Sequence, residues 1–216
     1  MKEIIPAILT DNPAELNNFL NNLKGLTGWV HIDIMDGHFV PNKSIKVTDL
    51  GATINDFNFE IHLMVDKPDK YFSDCATVDA KRVIFHAEAA DNIDTTLKAM
   101  DAFAYERGLA LNPETSISSI RKYLNLINEV LLMSVIPGKQ SQLFVGSALN
   151  KARELKKLMP SMTVGMDGGI KFANINQVVA TGVDRCVIGS AIVKSDNYKN
   201  TINKFYNEIN FPPEDV

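Results

Sequence analysis

Short apolar runs alternate with longer amphipathic segments along the whole chain. The short runs are rich in leucine and β-branched residues, and most of them end at polar or glycine-containing sequence, which is the pattern of buried strands. We therefore predict eight strands, at residues 4–9, 29–35, 59–65, 82–86, 108–111, 130–135, 162–166 and 185–188.

The segments between the predicted strands have helical spacing. Apolar residues recur every three or four positions in residues 13–23 and again in residues 148–158, where Lys and Glu occupy the other face. Asp91 and Ser116 are the predicted N-caps of two further helices, because Asp and Ser side chains accept hydrogen bonds from the free N–H groups of a first turn.

Eight strands that alternate with eight helical segments favour a single-domain (β/α)₈ barrel, or TIM barrel, over residues 1–216. An open doubly wound sheet is the alternative fold, but it usually carries fewer strands at this length. In a barrel, catalytic residues lie at the C-terminal ends of the strands and in the loops that follow. Polar residues at those positions are therefore the candidate functional residues.

The second predicted strand carries polar side chains on one face. Side chains alternate along a strand, so His31, Asp33 and Met35 would point into the barrel, and the apolar residues between them would meet the outer helices. Buried polar groups need partners. Taken alone, the His-x-Asp pair is as consistent with a structural hydrogen bond as with a metal site.

Two other strands favour the metal site. His62 points inward near the end of the third strand, and Asp167 ends the seventh strand just before two glycines. Two imidazoles and two carboxylates can therefore converge on one end of the barrel. Divalent transition metals bind such mixed nitrogen and oxygen sets, and Zn²⁺, Fe²⁺ and Mn²⁺ are all chemically acceptable.

These residues belong to a longer set of motifs. Residues 31–42, His-Ile-Asp-Ile-Met-Asp-Gly-His-Phe-Val-Pro-Asn, closely resemble the signature of the ribulose-phosphate 3-epimerase family. Further segments resemble family motifs in the same order, nearly from end to end: residues 61–65, 85–89, 111–115, 133–135, 137–138, 167–169 and 188–191. The first motif is highly specific, whereas many phosphate-binding barrels share the Asp-Gly-Gly and Gly-Ser motifs.

The resemblance implies an isomerase of the pentose phosphate pathway that interconverts D-ribulose 5-phosphate and D-xylulose 5-phosphate by inversion at C3. It implies that His31, Asp33, His62 and Asp167 hold one divalent metal ion, and that Asp33 and Asp167 are also the catalytic acid and base. Three methionines would form an apolar floor beside the enediolate, or simply fill the core: Met35, Met64 and Met133.

The phosphate end of the substrate site is expected to consist mainly of backbone groups. Barrel enzymes bind phosphate on backbone N–H groups after strands 7 and 8, so we expect Gly168, Gly169, Gly189 and Ser190 to contribute. Gly138 belongs to the loop after strand 6, which usually has the sequence Asn-Pro-Gly-Phe-Gly-Gly-Gln in the family.

Two departures from the family pattern concern this end. The loop after strand 6 is Ile-Pro-Gly-Lys-Gln-Ser-Gln, at residues 136–142, so the paired glycines are missing. Lys139 could bind the phosphate as a charge instead, or could be an exposed loop lysine. In the first strand this chain has Ala7 where the family usually has Ser. Both departures favour another phosphorylated ketose, such as a hexulose 6-phosphate, as the alternative substrate.

Other functional classes are less well supported. A relative that keeps the fold and the metal but only binds a ligand is one hypothesis, and an activity assay would distinguish it. Barrel aldolases and decarboxylases of sugar and nucleotide phosphates carry an Asp-x-Lys-x-x-Asp motif. The nearest string here, residues 79–84, ends in Ile and precedes a strand.

Composition and charge limit the partners. The net charge is −4, and no cluster of Lys and Arg predicts a nucleic-acid partner. No apolar stretch approaches the roughly 20 residues that cross a bilayer, and the first residues do not have the pattern of a signal peptide. Cys75 and Cys186 form no CxxC pair, so we expect a reduced, cytoplasmic setting. The expected partners are a small-molecule ketose phosphate and further copies of the chain in a homo-oligomer.

Overall fold

Eight parallel strands form a closed barrel in which the spatial order follows the chain order. The structure is a computed structural model that describes residues 2–138 and 143–210, with the backbone alone for residues 52–55. Its strands are β1 (Glu3–Ile8), β2 (Trp29–Met35), β3 (Asn58–Met64), β4 (Arg82–His86), β5 (Glu106–Leu111), β6 (Glu129–Met133), β7 (Thr163–Asp167) and β8 (Arg185–Ile188). The predicted (β/α)₈ barrel is confirmed, and the predicted strand ends differ from these by at most two residues.

Helical segments connect consecutive strands. The α-helices are α1 (Pro13–Leu23), α2 (Phe72–Thr77), α3 (Ile93–Ala99), α4 (Ser147–Leu158), α5 (Ile175–Val179), α6 (Ser190–Val193) and α7 (Tyr198–Asn210). The connections from β2 to β3 and from β5 to β6 are instead 3₁₀ helices, Val47–Asp56 and Ile117–Leu126. Among the described residues, none of the helices combines the length and the apolar character that a membrane span requires.

Local sequence accounts for where the helices begin. The Asn12 side chain accepts a hydrogen bond from the Ala14 N–H at the start of α1, and proline occupies the first helical position. Ser116 caps its 3₁₀ helix as predicted. The prediction for Asp91 was wrong, because the neighbouring Asn92 caps α3 by accepting from the Thr95 N–H. Both residue types are good caps, so the backbone path decides between them.

Apolar side chains fill two layers, one on each side of the barrel wall. Val30, Ile32 and Ile34 of β2 face outward and join the large cluster that the helices cover, as the alternation predicts. Inside the barrel, a smaller cluster includes Ile84 and Leu131. On β4 the inward positions are Arg82, Ile84 and His86, so polar groups lie on both sides of the apolar layer.

A chain of buried charges occupies the interior near the N-terminal ends of the strands. The fully buried guanidinium of Arg82 forms ion pairs with Glu60 and, at 3.1 Å, with Glu129. Arg185 reaches Glu129 at 2.5 Å from the other side, and the Arg82 guanidinium lies 4.5 Å from the centre of the Trp29 ring. The charges compensate one another, which is the condition for burying them at all.

Loss of the Arg82 charge should be costly. In Arg82→Met, Glu60 and Glu129 would remain buried without their shared cation, while the volume of the side chain is largely kept. We expect a loss of about 3–5 kcal/mol in the free energy of unfolding, measured by urea titration at pH 7. Arg107→Met is the matched control, because Arg107 lies on a strand too but its ion pair with Asp101 is exposed. A similar midpoint shift for both variants would contradict the charge-compensation argument.

Candidate functional site

Four predicted side chains meet at the C-terminal end of the barrel. His31 and Asp33 come from β2, His62 from β3 and Asp167 from the last position of β7. One nitrogen or oxygen atom from each lies within 4.8 Å of the others. The parallel register pairs Asp33 with His62, so period-two alternation on neighbouring strands turns these groups to the same inner surface. The predicted convergence is therefore observed, while the role of the four residues as ligands stays a prediction.

Asp33 lies at the centre of the cluster. Its Oδ1 atom is 3.0 Å from Nδ1 of His62 and 3.3 Å from Nε2 of His31, and Oδ2 of Asp167 is 3.9 Å from the same His62 nitrogen. On the far side of the His31 ring, Nδ1 lies 2.5 Å from Oε1 of Glu60. A carboxylate in that position accepts the Nδ1 proton and turns Nε2 towards the cluster.

The two aspartates differ in protonation. Burial alone would raise the pKa of both. In Asp33, hydrogen bonds with His31 and His62 outweigh burial and hold the pKa well below its usual range. In Asp167, burial and the nearby charge of Asp33 raise the pKa to about 7. Near neutral pH the cluster therefore contains one ionised carboxylate and one that can hold its proton.

The pKa values of the two histidines in the cluster are also shifted in opposite directions. Burial lowers the pKa of His62 to about 4 despite its hydrogen bond with Asp33, so this ring is neutral at physiological pH. Burial also disfavours a charge on His31, but hydrogen bonds with Asp33 and Glu60 raise its pKa well above the ordinary value. A neutral imidazole with a free nitrogen is the form that binds metals.

The donor set fits a divalent transition metal. Two imidazole nitrogens and two carboxylate oxygens are brought together in largely buried positions, and a cation among them would offset the repulsion between the carboxylates. This chemistry is shared by Zn²⁺, Fe²⁺ and Mn²⁺, and the protein atoms do not distinguish between these ions.

A cavity of about 670 Å³, including its open mouth, adjoins the cluster. Asp33, Asp167, Met64 and Met133 line one part of it, and the predicted phosphate-binding residues line another: Gly138, Gly168, Gly169, Gly189 and Ser190. Met35 does not line this cavity. It packs with Met64 and lines an adjoining surface cavity instead.

The glycines after β7 form the floor of the far end. Gly168 and Gly169 have φ values of 108° and 64°, which favour glycine, and a Cβ atom on Gly168 would collide with Val135. The Ser134 hydroxyl lies 2.5 Å from the carbonyl oxygen of Gly168 and 2.9 Å from that of Asp167, so its single proton is shared between them and links β6 to this turn. Lys139, the predicted phosphate cation, lies outside the described residues.

Sequence reasoning missed several residues of the site. Glu60 supports His31, and its signal was available, because it precedes His62 by two positions and therefore shares the inward face. Lys171 lines the cavity next to the glycine pair. The only signal for Lys171 was its position two residues after a motif already assigned to phosphate. Ala7 lines the cavity too, so the substitution seen in the sequence does affect its wall.

Fold and site together define a class: a (β/α)₈-barrel enzyme whose ionisable side chains are gathered at the C-terminal ends of its strands. Similar architecture occurs in a mutant tryptophan synthase α-subunit from Pyrococcus furiosus, with a TM-score of 0.71 and 14% identity over 96% of this chain and 97% of that one. At this identity, the likeness shows the fold alone.

Sequence comparison narrows the class to one family. The profile of the ribulose-phosphate 3-epimerase family matches residues 3–193. The chain is 33% identical to the ribulose-phosphate 3-epimerase of Escherichia coli (strain K12), over 95% of each chain. It is 31% identical to that of Bacillus subtilis (strain 168), over 94% of this chain and 98% of the relative. The chain belongs to the ribulose-phosphate 3-epimerase family and is an isomerase of the epimerase class that acts on carbohydrates.

The raised pKa of Asp167 predicts a pH-dependent cost in the metal-free protein. Folding strengthens proton binding at Asp167, so the resulting stability is present below the unfolded pKa of about 4 and is lost as the pH rises through about 7. Above that range, the ionised side chain opposes folding. Metal-free Asp167→Asn should therefore be more stable than the parent protein by roughly 1–3 kcal/mol at pH 8, measured by urea unfolding in EDTA.

Asp33→Asn is the matched comparison, because the pKa of Asp33 is lowered on folding. The stability from that shift is present above the unfolded pKa, so its loss should destabilise the metal-free protein at pH 8. The advantage of Asp167→Asn should disappear near pH 4. Equal destabilisation by both substitutions at pH 8 would show that the two carboxylates have the same environment.

Proposed function

We propose that this enzyme inverts C3 of a ketose phosphate, with D-ribulose 5-phosphate and D-xylulose 5-phosphate as its substrate pair. Inversion next to a ketone requires one group that removes a proton and another that returns a proton to the opposite face. The observation that carries the proposal is the pairing of Asp33 and Asp167 in one buried cavity with pKa values shifted in opposite directions. One base and one acid are thus available together.

The proposed steps use these two side chains in turn. Asp33, kept ionised by His31 and His62, takes the proton from C3, and the electron pair of the broken C–H bond moves towards the C2 carbonyl to give an enediolate. Asp167 donates its own proton to the other face of C3. The enzyme is then left with a protonated Asp33 and an ionised Asp167, so the reverse reaction begins with the roles exchanged.

A divalent metal ion fits this proposal, with His31, Asp33, His62 and Asp167 as its ligands. When bound, it would supply Lewis-acid stabilisation of the negative charge that develops on the substrate oxygens. Its proposed identity is Zn²⁺, Fe²⁺ or Mn²⁺. Met64 and Met133 give the cavity an apolar wall that keeps water from the reacting carbon. Met35 supports this wall through its packing against Met64.

The phosphate group is proposed to rest at the other end of the cavity, against backbone N–H groups of Gly168, Gly169, Gly189 and Ser190. Ala7 in the cavity wall removes a hydroxyl that could contact the sugar. This specific difference favours a second candidate, a phosphorylated hexulose, which would use the same acid and base. A cytoplasmic setting and a homo-oligomeric state remain predictions from the sequence.

A substrate panel in deuterated water tests the function. Metal-reconstituted protein would be incubated with D-ribulose 5-phosphate, D-xylulose 5-phosphate, hexulose 6-phosphates and unphosphorylated D-ribulose, and deuterium at C3 would be followed by NMR. We expect incorporation with inversion for the pentulose phosphates. Faster incorporation into a hexulose phosphate would select the second candidate. No incorporation into any compound, with the metal shown to be bound, would indicate a binding protein.

The same assay tests the two-base assignment. Asp33→Asn and Asp167→Asn should each lower the rate of epimerisation by about 10²–10⁴-fold, and each should retain some exchange of the proton on one face of C3. Asp66→Asn is the matched control, because this exposed aspartate follows β3 at the same end of the barrel. A variant with near-normal turnover would eliminate its aspartate as acid or base.

Lys139 is proposed to compensate for the missing loop glycines by binding the phosphate. Lys139→Ala should weaken binding by about 1–3 kcal/mol, a five- to hundred-fold rise in KM with a smaller change in kcat, because the phosphate is remote from C3. The effect should shrink at high salt.

Lys171→Ala tests the lysine that lines the cavity, and Lys81→Ala is the control, since Lys81 precedes β4 at the opposite end of the barrel. An unchanged KM for Lys139→Ala at low salt would make this lysine a bystander.

A further inference from the structure

The turn after β7 (residues 168–171) is held by a side chain that lies outside the cavity wall. Nδ2 of Asn174 donates a hydrogen bond to the Gly169 carbonyl oxygen at 3.0 Å, and Oδ1 of Asn174 accepts one from the Lys171 N–H at 2.7 Å. Every residue of the turn lines the cavity, whereas Asn174 does not. The proposed reaction gives Asn174 no role, yet its side chain closes the turn on which the phosphate is proposed to rest.

Asn174 occupies a position at which asparagine usually has another task. It is the N-cap residue of α5, where the side chain ordinarily accepts a hydrogen bond from the first turn of its own helix. Asn92 does this at the start of α3, by accepting from the Thr95 N–H at 3.2 Å. In the described residues of α5, no N–H donates to the Asn174 side chain. Both halves of the Asn174 amide are used on the preceding turn instead.

The turn needs such support because it begins with two glycines in left-handed conformations. A glycine loses more conformational freedom than any other residue when one backbone conformation is fixed. Ser134 links β6 to the carbonyl groups of Asp167 and Gly168, and Asn174 holds the next carbonyl group, that of Gly169, from α5. Loss of the Asn174 side chain would therefore leave the peptide unit that follows Gly169 free to rotate.

The hydrogen bond from Asn174 sets the orientation of this peptide unit. The carbonyl group of Gly169 and the N–H of Ile170 belong to one trans unit, so they point in opposite directions. With its oxygen directed at Asn174, the unit directs the Ile170 N–H away from Asn174. Ile170 lines the cavity, and within the described part of the chain its N–H has no acceptor. Such an N–H attracts a phosphate oxygen, whereas a carbonyl oxygen in its place would repel one.

We propose that Asn174 is a positioning residue that turns the Ile170 N–H, and not the Gly169 carbonyl oxygen, towards the phosphate group of the substrate. Ile170 thereby adds a donor to the backbone groups already proposed for this end of the cavity. Its side chain is only 4% exposed, so the residue is anchored in the core while its N–H serves the cavity. This inference rests on the proposed function in one respect, that the phosphate of a ketose phosphate occupies this end.

Kinetics with the best ketose phosphate of the substrate panel give the first test. Asn174→Ala should raise KM roughly 5–30-fold and change kcat less, because the phosphate is held similarly throughout the reaction. Asn174→Asp keeps the acceptor for the Lys171 N–H but replaces the donor with a negative charge. It should raise KM further, and the excess should shrink at high salt. Asn92→Ala is the matched control, since it removes an asparagine at the start of another helix, and it should leave KM unchanged.

The amide of Ile170 gives a second readout that a merely structural role would not change. Inorganic phosphate would be titrated into ¹⁵N-labelled metal-free protein, so that phosphate cannot bind to a metal ion instead. We expect the Ile170 amide proton to shift downfield as phosphate binds to the parent protein. In Asn174→Ala the phosphate affinity should fall roughly 5–30-fold and this shift should be lost. An Ile170 amide that does not respond to bound phosphate in the parent protein would overturn the proposal, as would a parent-like affinity and shift in Asn174→Ala.

The two tests separate this inference from the proposed function. If the parent protein exchanges the proton at C3 of no compound in the panel, the proposed function fails, and the phosphate titration still decides the role of Asn174. If the parent protein epimerises a ketose phosphate and Asn174→Ala has a normal KM and a normal Ile170 response, only the positioning role fails. If Asn174→Ala does not fold, Asn174→Asp decides the matter, because it has the same shape and keeps the hydrogen bond from the Lys171 N–H.

Discussion

The cost of burying charge inside the barrel governs this structure. A charged side chain loses its hydration when it enters the interior, and only a partner of opposite charge or a set of hydrogen bonds restores the balance. Near the N-terminal ends of the strands the balance is kept within the protein, since Arg82 and Arg185 neutralise Glu60 and Glu129. At the C-terminal ends it is incomplete, because within the described part of the chain no lysine or arginine forms an ion pair with Asp33 or Asp167.

The charged groups at the two ends of the barrel therefore have different roles. The N-terminal charges are structural, and they extend upward through Glu60 to the His31 ring. At the C-terminal ends, burial and the neighbouring charge of Asp33 raise the pKa of Asp167 to about 7, so this carboxyl group can hold a proton near neutral pH. Two largely buried carboxylates held this close together favour a bound cation. The same low-polarity surroundings that make the cluster costly also strengthen every interaction that it makes with substrate.

The accuracy of prediction differed between parts of the molecule for physical reasons. Period-two alternation brought His31, Asp33 and His62 onto one surface, because a strand leaves a side chain only two directions. The predicted strands were correct to within two residues, since a buried parallel strand is apolar throughout and polar residues mark its ends. The pattern did not distinguish α-helices from 3₁₀ helices, because i to i+3 and i to i+4 spacing place apolar residues on similar faces. Two of the amphipathic segments are 3₁₀ helices.

The sequence by itself determined the barrel, the family and the residue types of the candidate site, because these depend on local periodicity and on motifs that are contiguous in the chain. Only the tertiary structure decided which groups support them. Arg82 reaches Glu129, which lies 47 positions later in the chain, and His86 lies 2.9 Å from His62, because closing the sheet brings distant strands side by side. Such contacts depend on the register and twist of all eight strands together, and no local pattern specifies them.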